Sequence, residues 1–237
     1  MVVAAVSVLA VLMIVTELLA GARRWPAVAS WWARAVMLNA VQVAVALVAG
    51  WSWESTMSGW RPWSLEALPV WGQVALGYVA ITFVYYWWHR WRHEVRWLWR
   101  GLHQLHHSPS RIEIVTSFYK HPLEILLNSF LSTAILYCLV GVGPEAATYA
   151  VLVTGIAELF YHWNVRTPYW LGFLIQRPES HCVHHQQGVH AFNYSDLPLW
   201  DMLFGTFRNP RAWHGSCGFG VEREKRLVDM LLWREVV

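Results

Sequence analysis

The sequence predicts an all-α integral membrane bundle of about four to five transmembrane helices with a cytosolic, helical, histidine-rich cap. Three observations lead there. Hydrophobic residues make up 56% of the 237 positions and charged residues only 14%, against roughly 25% charged in soluble proteins. Eighteen tryptophans gather as Trp31/Trp32, Trp51/Trp53, Trp60/Trp63 and Trp97/Trp99 beside apolar runs, as aromatic belts do at a membrane surface. Eight of the twelve histidines fall into short motifs next to those runs, and a ninth, His162, closes one of them.

Taken in order, Val2 to Ala20 is a nearly uncharged run of about one bilayer's length. The charges Arg23, Arg24 and Arg34 follow the run rather than precede it, so it reads as a transmembrane helix and not as a signal peptide. Ala35 to Gly50 is a second, short span, and Trp51 to Pro69 is a polar-aromatic connection. Val70 to Trp88 forms a third span that runs directly into the first histidines. Pro122 to Val140 and Glu145 to Tyr161 make a hairpin about the turn Gly141-Val142-Gly143-Pro144. From His162 onward there is no further span. The whole of 1–237 is thus one membrane domain: spans over 1–88, a first histidine segment over 89–121, the hairpin over 122–161 and a cap over 162–237.

The basic residues after the first span place that loop on the cytoplasmic side. Alternation of the spans then returns Trp88 to Lys120, and everything after His162, to the same face. This predicts an integral membrane protein with its histidines facing the cytoplasm, in the cell membrane of a bacterium or the endoplasmic reticulum of a eukaryote.

The histidines carry the chemistry. His89 and His93 are four residues apart, and His103, His106 and His107 form an H-x-x-H-H, a pattern repeated by His181, His184 and His185. On a helix, positions i, i+3 and i+4 share one face, so each set is expected to point its rings together. His162 closes the fifth span and can reach the cap. Neutral imidazole is a good ligand for iron, copper, zinc and nickel, and these nine side chains suffice for more than one metal. His190 reads as a tenth ligand or a hydrogen-bond donor to one, His121 as a helix cap and His214 as surface. Glu124 and Asp201 are candidate carboxylates to orient histidines, and Asn164 beside His162 reads as a hydrogen-bonding residue.

The three cysteines, Cys138, Cys182 and Cys217, lack C-x-x-C spacing and imply no disulfide framework. Cys182 lies within the last histidine motif, where a passive packing role is expected. A net charge of +3 without any Lys/Arg run gives no footprint for nucleic acid.

In their order along the chain, H-x-x-x-H, H-x-x-H-H and a final H-x-x-H-H between apolar helices resemble the fatty acid hydroxylase / sterol desaturase superfamily. YYWWHR before the first motif, KHPLE at Lys120 to Glu124 and NYSDLPLWDMLFGTF at Asn193 to Phe207 match it too. The likeness runs from about Tyr85 to Pro210. Two positions depart from it: Thr82, where members often carry Asp, and Arg166, where some carry a second histidine.

The resemblance implies a membrane helical fold with a cytosolic cap, two iron ions in a histidine-ligated di-iron centre, and O2-dependent hydroxylation or desaturation of a lipid C–H bond. No dinucleotide, haem-attachment or iron–sulfur motif is present, so electrons are expected from a separate reductase with a ferredoxin or cytochrome. The arginines around the first motif would be its docking face. The competing readings are a membrane metal-binding or transport protein and a haem cytochrome. Both place their ligands near the bilayer midplane or on facing helices inside the bundle, where this chain has no histidine.

Overall fold

The structure is a computed structural model that describes residues 2–237, with side chains from Val8 onward. Among the described residues there is no β-strand, only an isolated bridge between Gln186 and Cys217. Five helices form the body: α1 (Val2–Ala20), α2 (Trp31–Met57), α3 (Val70–Glu94) and, after two short helices, α4 (Arg96–Leu98) and α5 (Gln104–His107), the pair α6 (Pro122–Thr133) and α7 (Pro144–His162). A π-helical turn, Trp99–His103, joins α4 to α5, and a second, Ala134–Val140, extends α6. The remainder is short: α8 (Pro178–His184), α9 (Pro198–Leu203), α10 (Val221–Glu224) and α11 (Leu227–Leu231).

The second apolar run is longer than its composition suggests. Trp31 and Trp32 begin the helix and Trp51 and Trp53 lie within it, giving 27 residues, about 40 Å at 1.5 Å per residue. A run of polar residues does not end a helix whose backbone hydrogen bonds continue, so a hydropathy boundary at Gly50 undercounts it. Among the described residues, Trp31–Met57 and Pro122–Val140 are long and apolar enough to cross a membrane.

α2 packs along α6 and α3 along α7. Between α3, the π extension and α7 the core consists of Val74, Ile81, Leu136, Tyr137, Ala146, Ala147 and Ala150. Gly77 permits this approach, because a Cβ there would stand 2.8 Å from the Leu136 side chain. The hairpin turns at Gly141, whose φ of 78° suits glycine, and Pro144 opens α7 at a position where its missing N–H costs nothing.

The chain's last segment closes over the histidines. Leu105, Tyr119, Phe219, Met230 and Val236 form one buried cluster with Trp31 and Leu38. Beside them, buried Arg34 bonds Glu224 at 2.9 Å, and Glu224 also accepts the Ser110 backbone N–H at 2.7 Å. The Glu17 carboxylate ties the end of α1 to this layer through the backbone N–H groups of Ile114 and Asn164.

Candidate metal centre

All nine predicted histidines converge, in two groups. His89, His93, His103, His107 and His184 form one, and His106, His162, His181 and His185 the other, each with its candidate ligand atoms within 4.8 Å of one another. Neither H-x-x-H-H motif keeps its three rings together, contrary to the shared-face expectation. Successive helical residues are about 100° apart and i,i+4 pairs only about 40°. His103 and His107 therefore go one way and His106 the other. In α8 the assignment is reversed: His181 and His185 enter the second group and His184 the first. The two motifs thus trade one histidine each.

Several ring nitrogens meet edge to edge. His89 Nε2 lies 3.0 Å from His103 Nε2, His107 Nε2 3.1 Å from His103 Nε2, and His162 Nε2 3.0 Å from His181 Nε2. Bonds of about 2.1 Å to a metal, set at right angles, put neighbouring ligand nitrogens about 3.0 Å apart. Other ring nitrogens here are buried without any hydrogen-bond partner: His93 Nε2, His106 Nδ1, His181 Nδ1, His184 Nε2 and both nitrogens of His185. Buried polar atoms are rarely left unpaired, so converging orphan nitrogens fit divalent metal ions. Burial, helped by neighbouring imidazoles and by Arg92 or Lys120, holds His103, His106, His107, His181 and His185 well below the ordinary histidine range and takes His184 down to about 3. They are neutral at pH 7, the form that donates a lone pair.

The outward nitrogens are held by the scaffold, which fixes ring orientation. His89 Nδ1 donates to the Tyr194 carbonyl at 2.8 Å, His184 Nδ1 to the Phe192 carbonyl at 2.7 Å and His162 Nδ1 to the Glu158 carbonyl at 2.9 Å. His103 Nδ1 lies 3.1 Å from Glu124 Oε1, and Glu124 is itself ion-paired with buried Arg92. Glu124 is thus the orienting carboxylate anticipated from the sequence.

Asp201 acts one step further out. Its two oxygens accept the backbone N–H groups of Tyr194 (2.8 Å) and Ser195 (3.0 Å) and the Thr206 hydroxyl (2.7 Å). It therefore shapes the loop whose carbonyls receive His89 and His184. That loop is strained: His190, Phe192 and Asn193 all have positive φ, from 43° to 70°. The Asn193 side chain secures it, donating to the Ser180 and Arg208 carbonyls at 2.9 Å and accepting the Arg208 N–H at 2.7 Å. Sequence reasoning missed this loop's role; its trace is the N-Y-S-D run after the last histidines.

The remaining candidates lie outside both groups. His190 Nδ1 is 3.2 Å from His107 Nδ1, a hydrogen bond to a histidine of the first group. His121 caps α6 by accepting the Leu123 N–H. Asn164 exchanges two hydrogen bonds with the Arg23 backbone. Cys182 is buried against Ile112 and Cys217, and His214 is exposed. Thr82 accepts the Trp200 indole N–H and, through its carbonyl, the Ser195 hydroxyl, joining α3 to the same loop.

A cavity of about 720 Å³ leads away from the histidines between the long helices. His89, His103, His106 and His181 line one end, Ile81, Ile125, Leu136, Val151 and Leu152 its length, and Glu54 with Tyr137 the other. Its lining on α7 runs from Ala147 to Tyr161, about 20 Å along the helix axis. Asp196 lines the histidine end, where burial and the nearby Glu158 carboxylate push its carboxyl up to about 7.

The sequence profile of the fatty acid hydroxylase family matches residues 74–206, more than half of the chain, and this stretch contains every one of the nine histidines. This chain belongs to the fatty acid hydroxylase family. It is 35% identical over 143 residues to an ornithine lipid hydroxylase of Rhizobium tropici, covering 58% of this chain and 42% of that one. It is 30% identical over 161 residues to the human alkylglycerol monooxygenase, covering 62% and 34%. A sphingolipid C4-hydroxylase of Schizosaccharomyces pombe is 23% identical over 175 residues, covering 68% and 60%. The matched part is less than half the length of the first two relatives. No solved structure matches the chain significantly.

Proposed function

We propose that this protein is an integral membrane, O2-dependent lipid hydroxylase whose nine histidines hold two iron ions. The observation that carries this reading is the junction of the two converging histidine groups with a long, largely apolar cavity. The chain's similarity to hydroxylases and a monooxygenase of lipids supports it and favours hydroxylation over desaturation.

His89, His93, His103, His107 and His184 would hold one ion and His106, His162, His181 and His185 the other. Bound there, the pair of ions supplies reductive activation of O2 for insertion into an unactivated C–H bond. The polypeptide supplies position and exclusion of water. Ile81, Leu136 and Val151 would take the lipid tail and hold one carbon at the histidine end. The Tyr194 and Phe192 carbonyls keep the rings of His89 and His184 turned inward, and Asp196 can hold or release a proton near neutral pH at the histidine end of the cavity.

Membrane placement is supported by the outward apolar surface, including Leu19, Val36, Leu47, Val48 and Trp71, all exposed. In this reading α1, α2, α3, α6 and α7 cross the bilayer and residues 162–237 form a cap over a cytoplasmic site. Electrons arrive from a separate ferredoxin- or cytochrome-linked reductase. The arginines around the first motif would form its docking face: Arg90, Arg96 and Arg100 stay at the surface, paired with Glu94, Glu235 and the Trp233 carbonyl, while Arg92 is spent inside on Glu124. A metal-transport reading is disfavoured, because the histidines are gathered at one end of the helices rather than midway.

The test is metal content of anaerobically purified protein beside His106→Ala/His184→Ala, with lipid extracts of expressing cells examined by mass spectrometry. About two irons per chain, lost in the variant together with an oxygen-atom mass gain on a lipid, is the expected result. Metal indifferent to these histidines would defeat the proposal.

A further inference from the structure

A second concavity lies on the other side of the last histidine helix. It measures about 840 Å³, and Arg23, Arg24, Arg166, Arg211, Trp25 and Trp213 stand in its walls, within the size range of ligand sites. It contains no histidine of either metal group. Four arginines line it against a single carboxylate, Glu179. That carboxylate is already engaged: it accepts the Thr167 backbone N–H at 3.0 Å and hydroxyl at 2.7 Å, and Arg177 stands 3.1 Å away. Arg23 approaches it only at 3.5 Å. Among the described residues Arg24 and Arg166 have no ion-pair or hydrogen-bond partner, and both are exposed. Arg211 is exposed too and lies over the Tyr169 ring at 4.7 Å. Three arginines without a carboxylate partner, Arg24, Arg166 and Arg211, lining one concavity form a site for phosphate or carboxylate, which the guanidinium fork matches.

Position selects the source of that anion. Arg23 to Trp25 directly follow α1, and Arg166 and Thr167 follow α7 within a few residues. The cleft therefore stands where two long apolar helices end, at the depth of lipid headgroups in the proposed membrane placement. Trp25 and Trp213, their rings 6.2 Å apart, suit that interfacial depth. A concave, tryptophan-walled cleft fits a headgroup better than the broad surface of an acidic protein.

We infer that this cleft binds the anionic headgroup of a membrane phospholipid. The bound headgroup would brace the last histidine helix. Glu179 is on α8, the Gly218 N–H donates to the His185 carbonyl at 3.1 Å, and the Trp213 indole donates to Gln186 at 3.0 Å. The inference rests on the membrane placement proposed above and not on the oxygen chemistry.

The test uses full-length, metal-loaded protein in neutral detergent, with bound lipid read by native mass spectrometry against dihexanoyl phosphatidylglycerol, dihexanoyl phosphatidylcholine and inorganic phosphate. One phosphatidylglycerol should be retained in preference to phosphatidylcholine, and Arg24→Gln/Arg166→Gln/Arg211→Gln should weaken it about tenfold. Arg24→Gln alone, at an exposed and unpartnered side chain, should weaken it by a smaller factor without altering the fold. Metal content and thermal unfolding are read on the same samples, so a protein that keeps its metals but no lipid defeats the cleft without touching the hydroxylase reading. Equal retention of the two lipids, or retention unchanged in the triple variant, overturns the inference. Binding of inorganic phosphate without lipid preference overturns it in favour of a soluble anion. So would arginine variants that lose an acidic ferredoxin while lipid binding stays the same.

Discussion

His107 and His185 stack with ring centroids 4.0 Å apart and planes 14° from parallel, although each belongs to a different histidine group. The two groups therefore share a wall. His107 reaches it from α5 and His185 from the end of α8, so the stack joins the two H-x-x-H-H motifs directly.

Each ring serves its own group, and single substitutions should separate them. His185→Ala and His107→Ala are each expected to reduce bound metal from about two to about one per chain. Elemental analysis of the anaerobically purified variants checks this, with parent-like metal in either variant as the contrary result.

Glu124 couples stability to metal binding. Glu124→Gln leaves Arg92, only 5% exposed, without its carboxylate, at a cost of about 3–5 kcal/mol. It also loosens His103. Arg92→Leu/Glu124→Leu should recover much of the thermal stability but not the metal affinity, which should stay about 10–100-fold below the parent. Melting curves together with metal titration distinguish the two effects.

Asp201 predicts a pH dependence. Burial pushes its carboxyl up to about 6, above its unfolded range of about 3.9. A raised acid binds its proton more tightly in the fold. Its contribution is thus fully present below about pH 4 and is lost as pH rises through about 6. The stability of the parent relative to Asp201→Asn should therefore fall between pH 4 and 7, on the order of 2–3 kcal/mol. Parallel denaturation of both proteins across that range measures it, and a constant difference would contradict the assignment.

Gly155 lines the cavity on α7, and a Cβ built there meets nothing within 4 Å. Gly155→Phe should fill the channel without a clash, and replacing a helical glycine removes a penalty of roughly 0.5–1 kcal/mol. Metal content should be unchanged, while the hydroxylated lipids found in cells shift to shorter tails or disappear. Unaltered products would show that the tail does not run past Gly155.

Much of this was legible beforehand because it is local. Apolar runs and their tryptophan edges marked the helices, histidine spacing marked eight of the nine side chains that gather, and its place at the end of an apolar run marked His162. What was not legible depends on contacts between distant segments. The Glu124 carboxylate meets His103 across 21 positions, and the strained loop from His190 to Asn193 is held by groups from α8 and from Arg208. Nothing in the sequence at Arg92 indicates that its charge is spent inside rather than offered to a partner.

The sequence by itself determined that helices form, that they are apolar enough for a membrane, and that histidines recur at helical intervals, since hydropathy and a 3.6-residue period are properties of neighbouring residues. Only the tertiary structure decided how each H-x-x-H-H is divided between two groups and where the cavity opens. Adjacent ring directions differ by about 100° on any helix, but what each direction meets is set by how α3, α5, α7 and α8 pack around one another.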